Sequence, residues 1–510
     1  RLKQRRDPMN LRATSIVAIT SLSLIACDSG VPGNSAISES ALSADLHVLA
    51  NDSMGGRLVA SSGLDQASAW IADRFESLGL APAGDRGGYF QRFGLAWFSL
   101  GVGNRLTVEG AGPGRTPGQG WTPSNAGASG SASGSVVFAG FGIVEPRLDH
   151  DDYQGADVNG RIVLMLEREP GVADPSSPFD GIVTAEASRT WRKVLAAQER
   201  GATAVLFVRD VHNREDINDW PAVHTGAWPD EPRRIERFTL EAWAEQITIP
   251  AAQISAELAA TLVEGSGRTL EELAVEAESA EGGLGVVDLG SARADLRTEV
   301  ERHVSPGTNV LAMIEGSDPD LRDEVVIIGA HHDHNGMDGE VVYNGADDDG
   351  SGTVGVLAIA EAYAQAAASG DLPARSVIFA IWDAEERGLL GAWYYTQRPL
   401  FPLQSTVANL NMDMIGRHEE VPTDGGGRFR GLDVQSAESN SNATNILGYS
   451  YTPELVQIVQ DANRFDLTLR LRYDNSASNL LRRSDHWPFL QSGVPAVWFH
   501  NGLHPDYHTP

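Results

Sequence analysis

At 510 residues the chain has room for roughly two to four domains, each with a sizeable core, taking about 150 residues per domain. Its 42% hydrophobic and 21% charged content is that of an ordinary globular protein. The 69 acidic residues against 39 basic give a net charge of -30, a surface that repels phosphate backbones and argues against nucleic acid as a partner. The single cysteine, Cys27, rules out any disulfide within the chain.

Residues 1–8 precede Met9 and read as upstream translated sequence. A short basic start (9–12), an apolar stretch too short to span a bilayer stably (13–26) and Cys27 have the tripartite form of a signal peptide. Leu24-Ile25-Ala26-Cys27 resembles a bacterial lipobox, in which the cysteine is acylated and becomes the mature N-terminus. The sequence therefore predicts an exported protein, periplasmic or at the cell surface, held at the membrane only by a lipid on Cys27. Residues 1–27 are the signal, and the small polar stretch 28–40 is a tether.

Residues 41–80 carry helical spacing, and Tyr89 to Phe93 reads as a strand. Residues 111–134, rich in Gly, Pro, Ser and Thr, read as a loop or junction. Short apolar runs at 135–143, 161–166 and 204–208 alternate with one helical stretch at 185–200. The run 304–314 is suited to a sheet strand beside the one that begins at Val325.

That strand organises the rest. Its β-branched run, Val325 to Ile328, is what burial on both faces of a parallel sheet produces, and His331, His332, Asp333 and His334 follow it. Asp347, Asp348 and Asp349 come next, before a small-residue turn and an apolar helix at 353–367. Three acids beside histidines repel strongly unless cations sit among them. The pattern repeats: 376–382 ends in Asp383, Glu385 and Glu386; 407–412 ends in Asp413; 495–499 leads to His500, His504 and His508. Ligands in open α/β sheets sit beyond the carboxyl ends of strands, and imidazole with carboxylate is a ligand set that suits zinc.

In this order HHD (331–333), GADDDGSG (345–352), DAEERGLLGA (383–392), NMDMIG (411–416) and DYHTP (506–510) resemble the aminopeptidase Y family of co-catalytic di-zinc peptidases, in its bacterial lipoprotein form. The resemblance implies an α/β fold with a mixed, mostly parallel sheet flanked by helices. It divides the peptidase domain into 41–125 and 286–510, with a β-rich protease-associated domain inserted at 126–285, and further sequence with another acid and a helix after Pro510.

It also implies two zinc ions. His331, Asp348 and Asp413 would hold one, and Glu386, His508 and the bridging Asp348 the other. Glu385 would be the general base, Asp333 the partner that orients His331, and Tyr507 the phenol that meets the oxyanion. His332 and His334 compete with His331, but only His331 stands in the His-x-Asp spacing. His418, His500 and His504 are read as rim or structural histidines. The implied activity is removal of N-terminal residues from peptide substrates. A carboxypeptidase or dipeptidase of the same superfamily is the alternative, with a non-catalytic binding ectodomain less favoured because every donor position is filled. Residues 495–499 lack the arginines that clamp a substrate carboxylate in the glutamate carboxypeptidase branch.

Overall fold

The computed structural model describes residues 37–510, so the signal and lipobox expectations lie outside the described residues. Two large sheets carry the fold. In the main sheet the strands run in the order Thr239–Leu240, Phe90–Leu100, Val300–Ile314, Ser376–Trp382, Val325–His331, Thr406–Met412, Ala496–His500, Ala443–Leu447 and Thr468–Leu471. Ala81–Pro82 pairs separately with Val300–Ile314.

The four central strands, from Ser376–Trp382 to Ala496–His500, are mutually parallel and the outer pairings are mostly antiparallel, so this is a mixed α/β sheet. Val300–Ile314 does not lie beside Val325–His331, as its apolar run suggested. It pairs antiparallel with Ser376–Trp382, which takes the place next to Val325–His331. Burial on both faces specifies an inner strand but not its neighbour.

Alternate residues along Ser376–Trp382 face opposite layers, as the two-residue period of a strand requires. Val377, Phe379 and Ile381 pack with Ile71 and Phe75 of the helix Ser62–Ser77 and with Val356 and Leu357 of Gly352–Ala368. Ile378, Ala380 and Trp382 pack with Leu390 and Trp393 of Leu390–Gln397 and with Trp487 and Phe489 of His486–Gln491. Each buried side chain of this size contributes about 1.5–3 kcal/mol, so the central strands and their carboxyl ends are held firmly.

The second sheet runs Arg105–Val108, Val287–Thr298, Gly130–Phe138, Ile162–Leu166, Ala204–Val208, Ala251–Ile254 and Trp121–Pro123. Its own cores include Phe138, Leu164 and Leu206 on one face and Val163, Val205 and Val194 on the other. Among the described residues no helix is long and apolar enough to cross a membrane.

Candidate metal centre

Val325–His331 is the topological switch of the main sheet: the next parallel strand, Ser376–Trp382, lies on one side of it, and the following one, Thr406–Met412, on the other. Loops leaving such a point diverge and open a crevice at the carboxyl ends. His331 is in register with Trp382, so the acids after Trp382 emerge level with the imidazole.

Backbone capping fixes these loops. The Asp333 carboxylate accepts from the backbone N–H of Glu385 (2.9 Å) and Glu386 (3.2 Å), while its Oδ1 lies 3.6 Å from His331 Nδ1. The Asp333 backbone carbonyl lies closer to the same nitrogen, at 3.2 Å, and the carboxylate sets the turn that presents both glutamates. Asp349 does the same for three segments, accepting from the N–H groups of His331, Gly352 and Met414. Ser484 Oγ donates to Asp413 Oδ2 at 2.6 Å.

Arg57, fully buried, comes from far up the chain. It donates to the carbonyls of His332 (2.7 Å), Leu49 (2.7 Å), Asn344 (2.6 Å) and Gly345 (2.8 Å), joining the histidine segment to the loop that leads into the aspartates. Burial brings its pKa down to about 10, with Asp333, Asp348, Asp349 and Glu386 opposing the drop.

The donors form two clusters joined by one carboxylate. His331 Nε2 lies 3.3 Å from Asp348 Oδ1, 3.7 Å from Glu385 Oε2 and 3.8 Å from Asp413 Oδ2. The other oxygen of Asp348 lies 2.9 Å from His508 Nε2, which is itself 3.1 Å from Glu386 Oε1. All five residues expected to hold metal therefore converge, with Asp348 between the clusters. Sequence reasoning set His334 aside, yet its Nδ1 is 2.9 Å from Glu386 Oε1 and 4.0 Å from Asp348 Oδ2. The backbone bond from His334 N–H to Arg57 C=O, at 2.9 Å, helps to hold it there. Only the His-rich run itself hinted at a second imidazole.

Of the histidines read as structural, His500 places Nδ1 3.1 Å from the Asp413 carbonyl and His504 places Nε2 3.0 Å from Asp347 Oδ2, while His418 is exposed. Asp485 is fully buried, and neither of its carboxylate oxygens has a hydrogen-bond partner among the described residues.

The site favours positive charge. Burial alone would lower the pKa of His331, but Glu385, Asp333, Asp348 and Asp413 outweigh it and hold the imidazole well above its usual value. Burial likewise opposes a charge on His508, yet Asp348 and Glu386 bring it up to about 9. Burial would raise Asp348, but His331 and His508 keep it well below the ordinary carboxylate range. Glu385 goes the other way, pushed well up by burial and, against the pull of His331, by Asp413, Glu386 and Asp485.

His331 Nε2, His334 Nδ1 and His508 Nε2 are buried atoms without a hydrogen-bond partner among the described residues, each facing carboxylate oxygens. Imidazole nitrogens and carboxylates gathered in threes within 4.8 Å of one another fit a divalent transition metal. Beside them the carboxylates of Asp348, Glu385, Glu386 and Asp413 line a cavity of about 20 Å³, room for roughly one water. Tyr507 and Arg483 line it; Arg483 donates to the phenol oxygen at 2.8 Å, and Tyr507 stacks on His508 with ring centres 3.8 Å apart.

Known proteins place this region. Residues 309–510 match the profile described as peptidase family M28. A probable glutamate carboxypeptidase of Arabidopsis thaliana is 28% identical over 255 residues, 44% of this chain and 32% of that protein. A probable leucine aminopeptidase 2 of Aspergillus oryzae is 28% identical over 218 residues, 41% of this chain and 37% of that protein. The chain thus spans about a third of the length of these curated relatives. Among solved structures, an aminopeptidase from Aneurinibacillus sp. strain AM-1 aligns over 94% of this chain and 89% of its own, at 18% identity and a TM-score of 0.47. The segment 309–510, which supplies every donor in both clusters, is the part of the chain that matches the profile of peptidase family M28.

Proposed function

We propose that this protein is a zinc-dependent exopeptidase that removes N-terminal residues from peptides. The observation that carries this reading is a pair of donor groups, His331 with Glu385 and Asp413 on one side and His334 with Glu386 and His508 on the other, with Asp348 between them. His331, Asp348 and Asp413 would hold one ion, and Asp348, Glu386 and His508 the other. Bound zinc would supply Lewis acidity, making a water acidic near neutral pH and polarising a carbonyl.

The side chains have separable tasks. Glu385 is placed to take a proton from the attacking water and return it to the leaving amine, a transfer that needs hydrogen-bond reach to both. Tyr507 stays protonated, because burial keeps its pKa well above the usual phenol value although Arg483 pulls it down. With Arg483 donating to the phenol oxygen, the hydroxyl hydrogen is free to meet the oxygen on which charge develops. Asp333 holds His331 and the Glu385-Glu386 turn in place.

The decisive test is Glu385→Gln together with a panel of peptides having free or acetylated N-termini. The expected result is loss of hydrolysis with metal content near two per chain, and activity in the parent only on free amines. Turnover by the variant would remove Glu385 as base. Arg483 favours a second reading as a carboxypeptidase, since its guanidinium lines the same cavity and could take a substrate carboxylate. Cleavage of N-acetylated peptides by the parent would select that reading. The proposal extends to location: export, cleavage before Cys27, and attachment through acylation of that residue.

A further inference from the structure

A cavity of about 1020 Å³ that shares no lining residue with the one at the donor clusters lies where residues of the second sheet meet the edge of the main sheet. Its size is that of a ligand pocket. Residues 122–129 form one wall, running on from the edge strand Trp121–Pro123. The edge strand Thr239–Leu240 of the main sheet contributes Thr239, and Arg482 at the end of Leu480–Arg482 lines this cavity while its chain neighbour Arg483 lines the one beside the donors.

The charge here is opposite to that of the molecule. In a chain of net charge -30, seven basic side chains and two carboxylates line the cavity. Arg214 has Glu167 at 3.4 Å and Arg302 has Glu245 at 3.7 Å. Arg189 and Arg482 share the buried Glu186. Arg168 and Arg237 enter no ion pair within 4 Å among the described residues. The buried Lys193 amine donates to the carbonyls of Leu166 and Arg168. Burial first, then the nearby Arg168 and Arg209, lowers the pKa of Arg214, and burial followed by Arg233 lowers that of Arg237.

The walls between the cations are aromatic. Trp191 and Trp243 stack with ring centres 4.7 Å apart, and the buried Trp191 Nε1 has no hydrogen-bond partner among the described residues. Guanidinium groups without partners bind carboxylate or phosphate through two parallel hydrogen bonds. The volume, about 1020 Å³, favours an extended chain carrying several carboxylates over a compact anion.

We propose that this cavity is a second binding site, separate from the metal centre, for an acidic stretch of extended peptide, with its carboxylates on Arg168 and Arg237. The proposal goes beyond the peptidase reading and does not depend on it, because a peptide blocked at both ends can bind without being an exopeptidase substrate.

The zinc-loaded full chain is titrated by tryptophan fluorescence with acetyl-tetraglutamate amide, acetyl-tetraglutamine amide and inorganic phosphate. The glutamate peptide should bind at least tenfold more tightly than the glutamine peptide and resist competition by equimolar phosphate. Arg168→Ala/Arg237→Ala should weaken it at least fivefold with an unchanged melting temperature; because both side chains are exposed, the variant should fold. Equal binding of the two peptides, phosphate bound as tightly as the glutamate peptide, or undiminished affinity in the double variant would each overturn the site.

Discussion

Replacing Arg57 by Met keeps the buried volume near its original value and removes the charged fork. Four hydrogen bonds to carbonyl oxygens are lost. At about 1 kcal/mol net for each, the loss is about 4 kcal/mol, in line with the roughly 3–5 kcal/mol that removing one member of a buried charged network costs. The damage falls on two segments at once, because the fork ties residue 332 to residues 344 and 345, and Asp348 comes three residues later. The positive charge that faces Asp333, Asp348, Asp349 and Glu386 goes as well. Urea denaturation of the zinc-loaded protein should therefore show a lower unfolding midpoint, and competition with a zinc chelator should show weaker metal binding. Arg57→Lys should recover part of the stability, since it keeps the charge but cannot reach four carbonyls. If Arg57→Met stays within about 0.5 kcal/mol of the parent, the size of an ordinary surface change, and binds zinc equally well, the clamp has no such role.

His334→Ala should weaken the ion on the His508 side by about 10–100-fold and leave the ion on the His331 side unchanged, seen as one displaced phase in a chelator titration; two unshifted phases would mean that His334 is a bystander. Glu169 is 1% exposed, and burial pushes its pKa up to about 7 against the pull of the Ala185 N–H, Ser188, Lys193 and Arg482. The folded state then holds a proton that the unfolded chain has released, so stability should fall by about 3 kcal/mol as pH rises from about 4.5 to 7 and level off above that. Lys193, brought down to about 8 by burial, is charged in both states through that window and adds no slope. Comparing melting temperatures of Glu169→Gln and the parent across this range isolates the effect, and identical profiles would contradict it. Cys27→Ser should move the protein from the membrane fraction to the soluble fraction, and unchanged fractionation would argue against acylation.

The sequence by itself determined where the chemistry sits along the chain. Continuous apolar runs mark strands buried on both faces, and His, Asp and Glu at their carboxyl ends mark the crevice, because these are properties of consecutive residues. Tertiary structure alone decided what crosses between segments. The place of Val300–Ile314 beside Ser376–Trp382 depends on packing that its own apolar pattern leaves open. The arrival of His334 depends on the Arg57 segment, nearly three hundred residues earlier, closing on its backbone. Asp348 lies between the clusters because backbone groups from three segments bond to its neighbour Asp349. The basic cavity is the extreme case: each arginine in it reads locally as an ordinary surface charge, and only the meeting of the two sheets gathers them, because electrostatic potential depends on distance in space rather than along the chain.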